Sequence, residues 1–222
     1  EPAGMENLLR EGEPREGVFF VGHVMVDNLF HQRDRLACAA VDSLGESRAL
    51  KEKLGRYGVV TMHRPSNVDR PEVLGPLMQA LGEVSQRLPL VFPVHPRTRG
   101  NIERFGLQVA PGITLTRPLS YMDFLNLWKD AALVMTDSGG LQEETTALGV
   151  PCLTLRENTE RPVTVTEGTN TLVGTDPARI AAAALEVVSA GGKHGRRPEL
   201  WDGHAAVRIV DALDGLLKAG AQ

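Results

Sequence analysis

Short continuous apolar runs alternate with stretches of helical periodicity along almost the whole chain. GVFFVG (residues 17–22), YGVVTMHR, LPLVFPVHP, GITLTRPL, ALVMTDS, VPCLTL and NTLVG read as strands, bounded by glycine, proline or polar residues. Residues 25–50 are expected to be largely helical, with Arg48, Lys51, Glu52 and Lys53 on a solvated face. A helix follows over about residues 71–87, with Pro71 suited to its first turn. Over residues 121–130, Tyr121, Phe124, Leu125 and Trp128 recur at i, i+3, i+4 and i+7, which is one helix face. GLQEETTALG reads as a helix closed by Gly149. A short helix is expected after VPCLTL, and from Pro177 a longer one in which Ile180, Ala184, Val187 and Val188 share a face. The glycine-rich, basic SAGGKHGRRPELWDG breaks the pattern and reads as a mobile or surface loop. A final helix over about residues 203–217 would turn Ala206, Ile209, Val210, Leu213, Leu216 and Leu217 inward.

Strand–helix alternation with near-continuous apolar strands predicts an α/β fold, a Rossmann-like parallel sheet with helices on both faces. Ligands of such sheets bind beyond the carboxyl ends of the strands. The polar groups cluster at those ends: His63 and Arg64, His95, Asp137 and Ser138, and Arg156. One rim is therefore the candidate site.

Composition narrows the function classes. The 222 residues are 42% hydrophobic and 23% charged, as in an ordinary globular protein, and the net charge of −4 gives no basic surface for nucleic acid or anionic membrane. The two cysteines, Cys38 and Cys152, are far apart and lack metal-ligand spacing, so a reducing, cytoplasmic setting is expected. No apolar run approaches the roughly 18–20 residues that span a bilayer. The opening EPAGMENLLREGEPREG has neither a basic n-region nor an apolar h-region and no initiator Met, and reads as cut from something longer.

Ser138, Gly139 and Gly140 admit two readings. They could form a phosphate cradle, with N–H groups exposed at a helix start and glycines that let an oxyanion approach. They could equally be an ordinary N-cap by Asp137 or Ser138, with glycine chosen for the turn. Glu143 and Glu144 project about 100° apart on that helix, so only one can face a ligand. A carboxylate there could accept both hydroxyls of a ribose, whereas the simple alternative is attraction to the positive helix end. His63 could serve as acid, base or phosphate donor, and Arg64 could bind phosphate bidentately, but histidines at strand ends, His95 included, are more often structural. Arg161 could reach the same rim or make a surface ion pair. Phe124 lies on an apolar helix face and reads as core. The chain has no HExxH, GxSxG, paired cysteines or carboxylate cluster for Mg²⁺, which disfavours metal and covalent-nucleophile chemistry.

TMHRPSNVD, FPVHPRT, RPLSYMDFLNL, TDSGGLQEETTALGVPCLTLRENTERP and EGTNTLVGTD occur in that order, and together they resemble the non-hydrolysing UDP-N-acetylglucosamine 2-epimerases. The likeness runs over most of residues 18–217. It implies the second domain of a GT-B-type pair of Rossmann-like domains, with UDP-sugar in the cleft between them. Residues 1–40 would be the end of the first domain and a linker, 41–200 the UDP-binding domain, and 201–222 a helix packing back toward the first. By position His63 is implied to be catalytic. Ser138, Gly139 and Gly140 are implied to hold the diphosphate with Arg161, Glu144 the ribose, and Phe124 the uracil region. Leu119 matches a uracil-contacting position that is often Gln, so its contact would be through backbone. Arg64 and His95 match positions tied to a regulatory UDP-GlcNAc site. The family reaction inverts C2 of UDP-GlcNAc through elimination and re-addition of UDP, with no cofactor, in a protein expected to be a homodimer. A GT-B glycosyltransferase donor domain, or a nucleotide-sugar-binding module without activity, is the competing expectation. Three features depart from the family pattern. Its catalytic carboxylates belong to the first domain, HRPSN replaces the commoner HRREN, and Val163 stands where many members have Glu.

Overall fold

The computed structural model describes residues 2–37 and 44–220; Cys38 lies outside them. Six parallel strands form one sheet: β1 (Gly58–Thr61), β2 (Leu90–Pro93), β3 (Ile113–Thr116), β4 (Leu133–Thr136), β5 (Cys152–Thr154) and β6 (Asn170–Leu172). Their order is β3-β2-β1-β4-β5-β6, with every pair parallel. This is the doubly wound arrangement, in which the direction of strand addition reverses between β1 and β4 and opens a crevice at their carboxyl ends.

Alternate strand residues feed two cores, as the period-2 pleat requires. Val60, Leu90, Phe92, Leu133, Met135 and Leu153 pack with helices α5 (Pro71–Ser85) and α10 (Pro177–Ala190) on one face. Val59, Val91, Val134 and Cys152 pack on the other with α2 (Val24–Ala37), α7 (Tyr121–Trp128) and α8 (Gly139–Leu148). Pro71 and Gly149 serve at helix ends as expected, and two further side chains act as caps. Pro71 occupies the first turn of α5, Ser120 caps α7 by accepting from Asp123 N, and Asp176 caps α10 by accepting from Arg179 N. Gly149 closes α8 at φ +76°. Three helices that the hydrophobic pattern does not announce are α1 (Pro2–Arg10), α4 (Pro65–Val68) and α6 (Pro96–Arg104). The last two start on prolines immediately after the polar strand ends, where a fixed φ favours the first helical turn. α3 (Gly45–Leu54) and α9 (Pro162–Thr166) complete the outer layer.

Two expectations are corrected. GVFFVG is not a strand: a 3₁₀ turn at Arg15–Gly17 leads into irregular chain, and Phe19 is exposed. Gly22 adopts φ +98° with its Cα against the backbone of Leu200, where a Cβ would sit 2.3 Å from the Leu200 carbonyl oxygen. The apolar run thus crosses beside the loop before α11 (Ala205–Gly220) and does not extend the sheet. The apolar stripe of α11 does not face inward either: Val207, Val210, Leu213, Leu216 and Leu217 are all exposed. The segment is held instead by Trp201 and Ala205, both buried.

Candidate functional site

The crevice between β1 and β4 brings the two strand-end motifs together. Thr61 and Thr136 are paired in register and share a hydroxyl–hydroxyl bond of 2.8 Å. Beyond them His63 and Asp137 meet. Asp137 is fully buried, and its carboxylate accepts from the backbone N–H of His63 (3.0 Å) and of Arg64 (2.9 Å) and from Asn67 Nδ2 (3.2 Å). His63 Nδ1 lies 2.9 Å from Asp137 Oδ1. Arg64 Nε donates to the Asp137 backbone carbonyl at 3.0 Å. The hydrogen bond to Asp137 raises the His63 pKa, against an opposing effect of partial burial and of Arg64.

At the start of α8 neither candidate cap is engaged as a cap. The Asp137 carboxylate is turned to His63, and the Ser138 side chain makes no capping bond among the described residues. Ser138 N itself donates to Thr136 Oγ1. The ordinary N-cap reading is therefore not what the structure displays: the Ser138 side chain leaves the first-turn N–H groups of α8 uncapped. Gln142, fully buried, binds this helix to the loop after β5: its Nε2 donates to Ser138 O, and its Oε1 accepts from Thr159 Oγ1 and Asn170 Nδ2. The amide's role is invisible in periodicity; only its place inside TDSGGLQEETTALG marks it.

A pocket of about 190 Å³ beside His63 is lined by Thr61, Met62, Pro93, His95, Pro118, Leu119 and Phe124. Phe124 thus both packs on the second core and lines a cavity. His95 caps α6, its Nδ1 accepting from Arg97 N, while its ring faces the same pocket. Glu144 accepts from Tyr121 Oη (3.1 Å) on the helix that carries Phe124, and burial pushes its carboxyl up, reinforced by the Glu143 charge. His63, His95, Leu119 and Phe124 therefore line one pocket, and α8 starts two residues after Asp137, the partner of His63.

Two predicted residues look elsewhere. Arg161 Nε lies 2.7 Å from Glu143 Oε1, close enough for an ion pair though off the hydrogen-bond direction, and both line a different pocket with Gly22, His23 and Trp201. Glu143 also pairs with His23 Nε2 at 2.9 Å, so it is more than a charge at a helix end: it clasps the segment before α2 to α8. Arg64 lines a third pocket with Arg70 and Arg156, and Arg156 is held by Glu160 through two bonds of 2.7 and 2.8 Å. Val163, at the position where many family members have Glu, is buried in the second core.

A doubly wound parallel sheet of this order is the Rossmann-like α/β class, of the kind that makes up one half of the GT-B architecture. Comparison with known proteins resolves the class further. Residues 1–214 match the family model described as UDP-N-acetylglucosamine 2-epimerase, and the chain belongs to that family. A UDP-N-acetylglucosamine 2-epimerase of Methanococcus maripaludis is 34% identical over 220 residues, covering 94% of this chain and 58% of the relative. A UDP-2,3-diacetamido-2,3-dideoxy-D-glucuronate 2-epimerase of Pseudomonas aeruginosa is 38% identical over 173 residues, covering 77% of this chain and 46% of that protein. The crystal structure of the Methanocaldococcus jannaschii UDP-GlcNAc 2-epimerase in complex with UDP-GlcNAc and UDP superposes with a TM-score of 0.76 at 34% identity, over 93% of this chain and 58% of that one. The chain thus covers between 46% and 58% of the length of these relatives.

Proposed function

We propose that this chain supplies the UDP-binding half of a non-hydrolysing UDP-GlcNAc 2-epimerase, which interconverts UDP-GlcNAc and UDP-ManNAc. The observation that carries the reading is the meeting of His63 and the open α8 start at the β1/β4 switch point, beside a pocket lined by Phe124 and Leu119. In this assignment the base lies on Phe124 and the Leu119 backbone, the ribose on Glu144, and the diphosphate on Ser138, Gly139 and Gly140. Elimination breaks the bond from C1 to the diphosphate oxygen as the C2 proton is lost, leaving 2-acetamidoglucal and UDP. Re-addition of UDP at C1, with the proton returned to C2 from the opposite face, then inverts C2. The developing charge on the leaving diphosphate is met by α8 N–H groups and by His63, placed before the reaction begins. Arg161 joins them once it turns from Glu143. Arg64 and His95 are the proposed regulatory-site residues; His95 lines the pocket beside His63, and Arg64 the one it shares with Arg70 and Arg156.

Residues 1–40 and 201–222 are assigned to the connection with a first Rossmann-like domain, 41–200 forming the UDP-binding domain. The exposed Leu8, Leu9, Phe19 and Met25 and the open face of α11 support this assignment. A cytoplasmic homodimer is part of the same proposal; no helix among the described residues is long and apolar enough to cross a membrane. ¹H NMR of UDP-GlcNAc incubated with the full-length protein tests the activity. UDP-ManNAc should appear without an acceptor, and turnover only with an acceptor would move the protein to the glycosyltransferases. The likeness to the Pseudomonas aeruginosa protein favours one second reading, in which the sugar is a diacetamido uronate. Running both nucleotide sugars in parallel separates the two.

A further inference from the structure

Asp137 needs an explanation beyond turn geometry. It is a fully buried carboxylate at the centre of the candidate site, and burying a charge is costly unless it is paired and hydrogen-bonded. Three of its bonds, from His63 N, Arg64 N and Asn67 Nδ2, fasten the turn that follows β1. The fourth partner is the His63 ring itself, through Nδ1. With Nδ1 facing a carboxylate, that nitrogen carries the proton, and Nε2 is the nitrogen left for a ligand.

We propose that Asp137 is a positioning residue, whose carboxylate holds Nδ1–H and fixes the ring plane of His63 so that Nε2, a donor once the ring is protonated, is presented to the diphosphate of the bound nucleotide. The inference rests on reading His63 as the group that meets the diphosphate. The backbone makes the arrangement rigid: His63 and Asp137 close two adjacent strands at the register Thr61 to Thr136, so the imidazole and its carboxylate move with the sheet. The same residue governs both ends of the cradle, because the chain passes from Asp137 directly into Ser138 and the open start of α8. The hydrogen bond to Asp137 also raises the His63 pKa, favouring a cationic donor opposite a diphosphate. The charged groups around the pair are Arg64 on its own turn, Arg156 and Glu160 on the loop after β5, and His95 across the pocket.

Long-range ¹H–¹⁵N NMR of the histidine rings in this chain tests the proposal without relying on a variant's folding. In the wild type His63 should appear as the Nδ1–H tautomer when neutral, with a pKa above that of an exposed histidine, and Nε2 should shift on saturation with UDP. An Nε2–H tautomer, or a pKa at or below the ordinary value, would overturn it. UDP binding with no response at Nε2 would overturn it at its second step. Calorimetry on the same sample keeps the underlying reading separate, since a chain that does not bind UDP at all fails as a UDP-binding half whatever the tautomer. Asp137→Asn should lower the His63 pKa, mix the tautomers and weaken UDP by about tenfold at neutral pH, whereas Asp137→Glu should restore the tautomer in part. A merely structural Asp137 would change stability in both variants and leave the tautomer alone.

Discussion

Gly139 and Gly140 are residues that the folded chain does not itself require. A Cβ at either meets nothing within 4 Å, and neither lies in the left-handed region. Alanine is preferred over glycine inside helices by roughly 0.5–1 kcal/mol, so Gly140→Ala is expected to stabilise the chain by about that amount. If an oxyanion approaches the helix there, the same methyl stands in its way, and UDP affinity should fall tenfold or more, about 1.4 kcal/mol. Denaturant unfolding and calorimetry on one preparation read both effects, and unchanged affinity would place the diphosphate elsewhere. His63 gives a second residue-scale expectation. Its folded pKa is raised above the ordinary 6.5, so its contribution to stability is fully present below that value and is lost as pH climbs through the folded pKa. The unfolding midpoint should therefore decline on the alkaline side of pH 6.5, and His63→Gln should flatten that decline. A pH profile identical in the variant would dissociate the imidazole from the fold.

Trp201 and α11 show how elements adjacent in sequence can carry very different energies. Trp201 is buried beneath His23, with the two rings edge to face at 5.0 Å, while the apolar stripe a few residues later is exposed. Truncating a buried tryptophan costs about 3–5 kcal/mol, so Trp201→Ala should shift the chemical denaturation midpoint strongly. Val210→Asp with Leu213→Asp, on an exposed face, should stay within about 0.5 kcal/mol of wild type; a large loss would mean the stripe is covered in solution. The contrast also explains what was readable in the sequence. Buried parallel strands such as VVT and LVMT announce themselves because both faces are covered, and the rim residues follow from where those runs end. A period of apolar residues, by contrast, records only that a face is to be covered and not by what, which is why α11 was expected to turn inward. GVFFVG failed for the same reason: an apolar run beside glycine fits a crossing segment as well as a strand. The pairing of Glu143 with His23 joins residues 120 positions apart, and no local pattern encodes it.

At the scale of the whole molecule, the site is rich in groups that hold an anion and poor in free bases. Among the described residues, none that lines the pocket beside His63 is a carboxylate. Asp137 is spent on four donors, Glu144 is bonded to Tyr121, and Glu160 is held by Arg156, which keeps its carboxyl down at about 2. Removing a proton from C2 of a sugar needs a base within hydrogen-bond reach of it, and the leaving group needs stabilisation at the other end of the same bond. In the proposed reading the residues around His63 meet the second requirement, while no carboxylate among the described residues lining that pocket is placed to meet the first, in a chain that spans under three-fifths of these relatives' length. The expected outcome is therefore separable: the 222-residue chain should bind UDP, and it should neither produce UDP-ManNAc nor exchange the C2 hydrogen of UDP-GlcNAc in D₂O. Exchange is the stricter measurement, because it detects proton abstraction even when C2 is reprotonated on its original face. Deuterium at C2 with this chain alone would show that a base resides within it, and the residues flanking His63, with His95 first, would then have to be reassigned.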